Sequence, residues 1–227
     1  MYSIDYHEVQ SQLEKSFTEQ ISSNGPTNLF CLKASDDYLD ADVKVMVFGQ
    51  ETNDWECKFP HPKGVPHLLN VYDNFFNNGK CFSYSGQFWN GFSKIQDRLR
   101  DEFSVESKSV GFIWNNVIKI GRCGEVGAPS KTILEWQEFT LELTRKELQH
   151  YKPDIVIFLS GPNYDEHISR IFDDVSFSST GERPVRHLAK VTSRQLPLKT
   201  LRTYHPGYLW RNGFYSYLDD IVEFIKS

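Results

Sequence analysis

The chain has 227 residues, of which 24% are charged and 39% hydrophobic, a length and balance that fit one α/β domain over residues 1–227 rather than two. No apolar run approaches the roughly 18 residues of a membrane span, and residues 1–5 lack the basic-then-apolar pattern of a signal peptide, so a cytoplasmic protein with no membrane partner is expected. A net charge of −5 argues against a surface uniformly adapted to nucleic acid, and Cys31, Cys57, Cys81 and Cys123 form no C-x-x-C pair, so neither a zinc knuckle nor an iron–sulfur framework is indicated.

In chain order, Val9, Leu13, Phe17 and Ile21 recur at four-residue spacing and predict a helix over residues 6–21, ended by Ser22, Ser23, Asn24, Gly25 and Pro26. A polar connection with Asp36, Asp37, Asp40 and Asp42 leads into residues 43–48, an apolar run with the character of a strand buried on both faces. The run stops at Gly49 and is followed by Gln50, Glu51, Thr52, Asn53 and Asp54. Residues 59–66 hold three prolines and a glycine, which predict irregular structure. A short helix is expected over 68–76, a turn over 77–79, and a longer helix over 85–103 with Phe88, Phe92, Ile95, Leu99 and Phe103 on one face.

Residues 109–120 predict a second strand running into a pocket-facing turn, and 131–149 a long helix. Residues 154–159 are the clearest buried strand, followed by a turn over 160–164 and a helix over 167–172. A basic, irregular stretch then reaches a fourth strand over 198–204, a loop over 205–210 and a closing helix over 214–225. Strands alternating with helices predict a three-layer α/β/α fold around a central four-stranded parallel sheet.

Charge is unevenly distributed. Residues 183–211 contain seven basic side chains (Arg183, Arg186, Lys190, Arg194, Lys199, Arg202 and Arg211) and no Asp or Glu. Such a segment suits either a localised phosphate-binding surface or a solvated face paired with acidic neighbours.

In a parallel sheet the carboxyl ends of the strands share one edge, where ligands sit. That edge gathers Gln50 and Glu51, Asn115 and Asn116, Asn163, and His205. Singly, a strand-end glutamate is more often a cap, an asparagine a turn residue, and a lone histidine a hydrogen-bonded loop residue. Together a carboxylate, an amide and an imidazole can set a water, read a base edge and stabilise an anion.

These stretches resemble the uracil-DNA glycosylase superfamily. Gly49-Gln50-Glu51 after an apolar strand is similar to the first motif, commonly GQDPYH or GEAPG, and Asn116-Val117-Ile118-Lys119 to TNVVK. Residues 154–161 are similar to the strand before the family's central turn, and Thr203-Tyr204-His205-Pro206-Gly207-Tyr208-Leu209-Trp210-Arg211 resembles the second motif in the form TYHPAALLR. Cys81-Phe82-Ser83 is similar to a CFS stretch that carries a base-stacking phenylalanine.

The resemblance implies a DNA glycosylase, monomeric and without a cofactor or metal, whose partner is single- or double-stranded DNA. Glu51 would position water or balance the positive sugar, and His205 would hydrogen-bond the departing base. Asn116, with Gln50, would bind the flipped base edge, Phe82 or else Phe88 would stack on it, and Leu209 would be the wedge, with Arg202 and Arg211 on the DNA. The chain departs from the family in lacking the first-motif proline, in having Glu where one branch has Asp, and in having Gly207-Tyr208 after His-Pro. Two further readings remain: a repurposed member that binds nucleic acid or a nucleobase-like ligand without cleavage, and a metal-dependent hydrolase using Glu51, Asp54, His61 and His67, which show no compact helical ligand pattern.

Overall fold

The computed structural model describes residues 4–16, 25–124, 127–181 and 183–227. Its sheet begins with two long parallel strands, β1 (Val43–Glu51) and, at the edge, β2 (Val110–Ile118), paired from Val43 opposite Val110 to Glu51 opposite Ile118. On the other side of β1 come β3 (Ile155–Phe158) and then β6 (Lys199–Thr203), both parallel. Two further strands, β4 (Ser176–Ser179) and β5 (Leu188–Thr192), extend the sheet antiparallel, giving the order β2-β1-β3-β6-β5-β4.

The four expected parallel strands are thus present, but the sheet is six-stranded and mixed rather than four-stranded and parallel. The two added strands fall in the stretch expected to be irregular. Three of the four β4 residues are exposed, so this edge strand has no apolar run to announce it, and β5 carries Lys190 in its middle.

The helices are α1 (Tyr6–Ser16), α2 (Asp36–Leu39), α3 (Gly64–Tyr72), α4 (Gln87–Ser104), α5 (Lys131–Glu135), α6 (Glu138–Tyr151), α7 (Asp165–Ile171), α8 (Pro206–Arg211) and α9 (Phe214–Lys226). Val9 and Leu13 of α1 are buried as expected, whereas Phe17 and Ile21 lie outside the described residues. Helix α3 starts four residues before the expected position, because Pro66 falls in its first turn, where a missing N–H is tolerated. It ends in a π-helical turn, Asp73–Asn77.

The single long helix expected over 131–149 is two helices. They break at Trp136 and Gln137, where the Gln137 amide accepts from Lys119 N–H (3.0 Å) and donates to the Ile120 carbonyl (2.9 Å) beyond the end of β2. Residues 205–210 are also not a loop. His205 caps α8, with Nδ1 accepting from Gly207 N–H at 3.0 Å, and Pro206 occupies the first turn.

Helix α4 packs against α8 and α9, and α6 against α1 and α7. The right-handed sense of β-α-β crossovers puts these sets on opposite faces of the sheet. A side chain at Gly91 of α4 would lie 2.6 Å from Pro206, so glycine is what lets α8 sit against this helix.

A buried ionic cluster sits between β2 and α6. Lys119 Nζ lies 2.7 Å from Glu147 Oε2 and donates to Asn115 Oδ1 at 2.6 Å. Asn115 Nδ2 donates to the same carboxylate oxygen (3.0 Å), and Tyr6 OH donates to Glu147 Oε1 (2.9 Å). Burial draws the Lys119 pKa down, and the Glu147 carboxylate works against that shift. Among the described residues, no helix is long and apolar enough to cross a membrane.

Candidate active site

Beyond the carboxyl ends of β1 and β2 opens a cavity of about 650 Å³, lined by Gly49, Gln50, Glu51, Trp55, Phe75, Tyr84, Phe88, Trp89, Trp114, Asn116 and His205 among others. A volume of this order suits a small organic ligand. The walls are aromatic: Trp89 meets Trp114 edge to face at 4.7 Å, Phe88 meets Trp89 the same way at 5.0 Å, and Phe75 lies 5.8 Å from Trp114. Such rings offer faces for stacking another flat ring.

Close approach of backbone and side chains shapes the floor. A Cβ on Gly49 would overlap Asn116 Oδ1 and come within 3.3 Å of Phe88 Cζ, so only glycine lets the amide and the ring converge at this point of β1. Asn116 is 1% exposed, and its Nδ2 has no hydrogen-bond partner. The indole N–H groups of Trp55 and Trp114 are likewise buried and unpartnered. Three unmatched buried donors thus belong to residues that line one cavity.

Glu51 accepts a hydrogen bond from the Tyr164 hydroxyl. Burial raises its carboxyl pKa above the ordinary range, and the Tyr164 donation and the Arg122 charge pull in the opposite direction. His205 is shifted down, mainly by burial and then by the nearby Arg211 charge. Its imidazole is therefore neutral at physiological pH, and because Nδ1 accepts from Gly207, the ring proton sits on Nε2. The ring stacks on Phe88 with centroids 5.6 Å apart.

The sequence-predicted residues divide into those the structure brings together and those it does not. Gln50, Glu51, Asn116 and His205 all line the cavity, with Gln50 Nε2 held by the Ser160 carbonyl at 2.7 Å. Asn115 points the other way into the ionic cluster, because adjacent strand residues face opposite sides. Both asparagines belong to β2, within the strand expected over residues 109–120. Phe82 is not among the cavity-lining residues: it packs on Phe76, Trp89 and Phe92 and borders a separate groove with Gln87 and Trp210. Phe88 occupies the wall instead.

Leu209 is 1% exposed, since the helical geometry of α8 turns it into the core, so its side chain is not free to insert between bases. Arg202 is equally buried and forms a bidentate pair with Asp165 (2.8 and 2.9 Å), while its third nitrogen donates to the Arg186 carbonyl. Arg183 pairs with Asp220 and Arg194 with Asp174. Three of the seven basic residues, Arg183, Arg194 and Arg202, are thus paired with acidic neighbours; of these Arg202 is buried, whereas Arg194 remains exposed. Arg211 is exposed and borders a groove beside His205, Tyr204 and Tyr208.

Sequence reasoning missed Trp89 and Trp114 as cavity walls, Tyr164 as the partner of Glu51, and Lys80 at the exposed rim. An aromatic fraction of 15% was the available signal, but it carries no position.

No protein-family model matches the chain, and no curated protein matches it.

Proposed function

We propose that the protein is a DNA glycosylase that excises uracil or a related damaged base, taking the base out of the stack and hydrolysing its N-glycosidic bond. The observation that carries this reading is the buried, unpartnered amide of Asn116 in one cavity with a desolvated carboxylate, Glu51, and a neutral imidazole donor, His205. An extruded base needs edge contacts and ring stacking, which Asn116 and Phe88 supply. As the glycosidic bond breaks, negative charge grows on the base and positive charge on the sugar. A donor at His205 Nε2 stabilises the first, and the Glu51 carboxylate stabilises the second or orients the attacking water.

The resemblance of residues 49–51, 116–119 and 203–211 to the uracil-DNA glycosylase superfamily supports the same chemistry. A second reading is favoured by the burial of Leu209 and the pairing of Arg202, which remove a wedge and a phosphate contact: a repurposed pocket that holds a nucleobase-like ligand without cleaving it.

The test is alkali-revealed strand cleavage of labelled oligonucleotides carrying uracil, hypoxanthine, a mismatched thymine or no lesion, with wild type, Glu51→Gln and His205→Ala. Lesion-dependent abasic sites that disappear in both variants are expected. If no lesion is processed by a folded wild-type protein, the glycosylase reading fails, and binding of free nucleobases to the cavity decides the second reading.

A further inference from the structure

One wall of the cavity carries a side-chain cluster that the proposed glycosylase chemistry does not use. Glu56 lines the cavity, and its Oε2 lies 2.6 Å from His67 Nε2 and 3.8 Å from His61 Nε2. One ligand atom from each of the three residues lies within 4.8 Å of the other two. The imidazole rings stack with centroids 4.0 Å apart and planes 9° from parallel. We propose that Glu56, His61 and His67 bind one divalent transition-metal ion at the rim of the cavity.

The geometry is close to what such an ion requires. Zinc bonds to imidazole nitrogen and carboxylate oxygen at about 2.0–2.2 Å, so ligand atoms around a tetrahedral ion stand about 3.4 Å apart. The two separations from Glu56 Oε2 bracket that figure, so shifts of under about 1 Å bring both nitrogens to the right distance. Two imidazoles and one carboxylate select a borderline ion such as zinc rather than calcium or magnesium, which favour oxygen ligands throughout. Three protein ligands leave further coordination positions open.

The backbone around the cluster is built to hold it. The buried amide of Asn28 donates to the Glu56 carbonyl and accepts from His61 N–H at 2.9 Å, while Asn28 N–H donates to the Trp55 carbonyl at 3.0 Å. One side chain thus fixes the positions of two of the three ligands. The third, His67, stands on α3. Asp54, Glu56 and Lys58 adopt left-handed backbone angles (φ 49°, 47° and 75°), an uncommon state for residues other than glycine and one that recurs at functional loops.

Ion capture has two local consequences. The rings tilt out of parallel so that their lone pairs converge, and His61, coordinating through Nε2, carries its proton on Nδ1 and gives up the 3.2 Å contact from Lys63 N–H. The bound ion ties α3 to the loop that carries Trp55 and Glu56, and so stiffens this wall of the cavity. The ion takes no part in the bond cleavage assigned to Glu51 and His205.

The test uses the full chain freed of metal by chelation, titrated with zinc against a chromophoric chelator and with cobalt(II) followed by its visible spectrum, alongside thermal unfolding with and without zinc. One ion per chain, a cobalt spectrum of four- or five-coordinate type and a raised melting temperature are expected. Removing even an outer-shell partner of a ligand typically weakens binding by about 10–100-fold, so His61→Ala and His67→Ala should each weaken it by more than about 100-fold. Glu56→Gln and His67→Gln repeat the test should an alanine variant fail to fold by circular dichroism. Cys57→Ser and Cys123→Ser, which alter the thiols nearest the cluster's loop, should bind zinc as wild type does. The proposal is overturned if the wild-type chain binds no stoichiometric zinc, if folded His61 and His67 variants bind it as well as wild type, or if the cysteine variants are the ones that lose it.

Discussion

Asn115 and Asn116 are neighbours on β2, yet the two sides of that strand treat their amides in opposite ways. On one side Asn115 belongs to a closed network with Lys119, Glu147 and Tyr6, all buried, in which the Asn115 amide has both a donor and an acceptor partner. On the other, Asn116 leaves its Nδ2 unmatched beside the unmatched indoles of Trp55 and Trp114. A buried polar group without a partner costs about 1–3 kcal/mol. Asn116, Trp55 and Trp114 concentrate that cost on the cavity side of β2, whereas the Asn115 side is matched throughout its network.

The comparison is broken most severely from the scaffold side. Lys119→Met leaves the Glu147 carboxylate buried without its cation, and a loss of about 3–5 kcal/mol in denaturant-unfolding free energy is expected. The Lys119→Met/Glu147→Gln pair should recover much of it. If the single variant unfolds like wild type, the cluster is not the structural element described.

Asn116→Ala should behave in the reverse manner, with unfolding free energy within about 1 kcal/mol of wild type because no satisfied hydrogen bond is removed. Glycosylase kcat/KM should fall by about 10–100-fold, the consequence of losing one base-edge hydrogen bond of about 1–3 kcal/mol. A large stability loss with intact turnover would invert the assignment of the two sides.

The third expectation concerns pH. Burial raises the Glu51 pKa, so folding favours its protonated form. The associated stability is present below the ordinary glutamate range and is lost as pH rises through the higher folded-state value. Glu51→Gln should therefore raise the melting temperature at pH 7 while abolishing turnover. Tyr164→Phe removes a donor that favours the carboxylate, so the acid limb of the pH–rate profile should move to higher pH. A limb that moves down or stays fixed would detach Tyr164 from Glu51.

The smallest effects lie at the rim. Lys80→Ala and Arg211→Ala should each weaken DNA binding modestly and uniformly across sequences and reduce the slope of log affinity against log salt by about 1. Arg202→Ala should instead lower stability and leave the salt slope unchanged, because its guanidinium is held by Asp165.

The parallel strands β1, β2 and β3 were legible in the chain because buried parallel strands are near-continuous apolar runs, a purely local signal, whereas β6 (Lys199–Thr203) has one aliphatic residue, Leu201, and no such run. Helix α4 was legible from its 3.6-residue periodicity. Edge strand β4 was not, since an exposed strand needs little apolar character and is defined by its neighbour. Capped helix α8 was hidden by reading His205, Pro206 and Gly207 as loop formers, although proline at a first helical position is compatible with a helix.

For the site, sequence order alone brought Gln50, Glu51, Asn116 and His205 to one edge, because parallel connectivity forces the strand ends together. The sequence also determined which chemical groups were available there: a carboxylate, an amide, an imidazole and many rings. Tertiary structure decided which of them line the cavity. It chose Phe88 over Phe82, sent Asn115 away from Asn116, buried Leu209, matched Arg202 to Asp165, and set Glu56, His61 and His67 side by side. The reason is physical: residue type and periodicity are properties of the local chain, whereas burial, pairing and pKa depend on groups brought close from distant parts of it, such as Arg202 and Asp165, 37 residues apart in sequence.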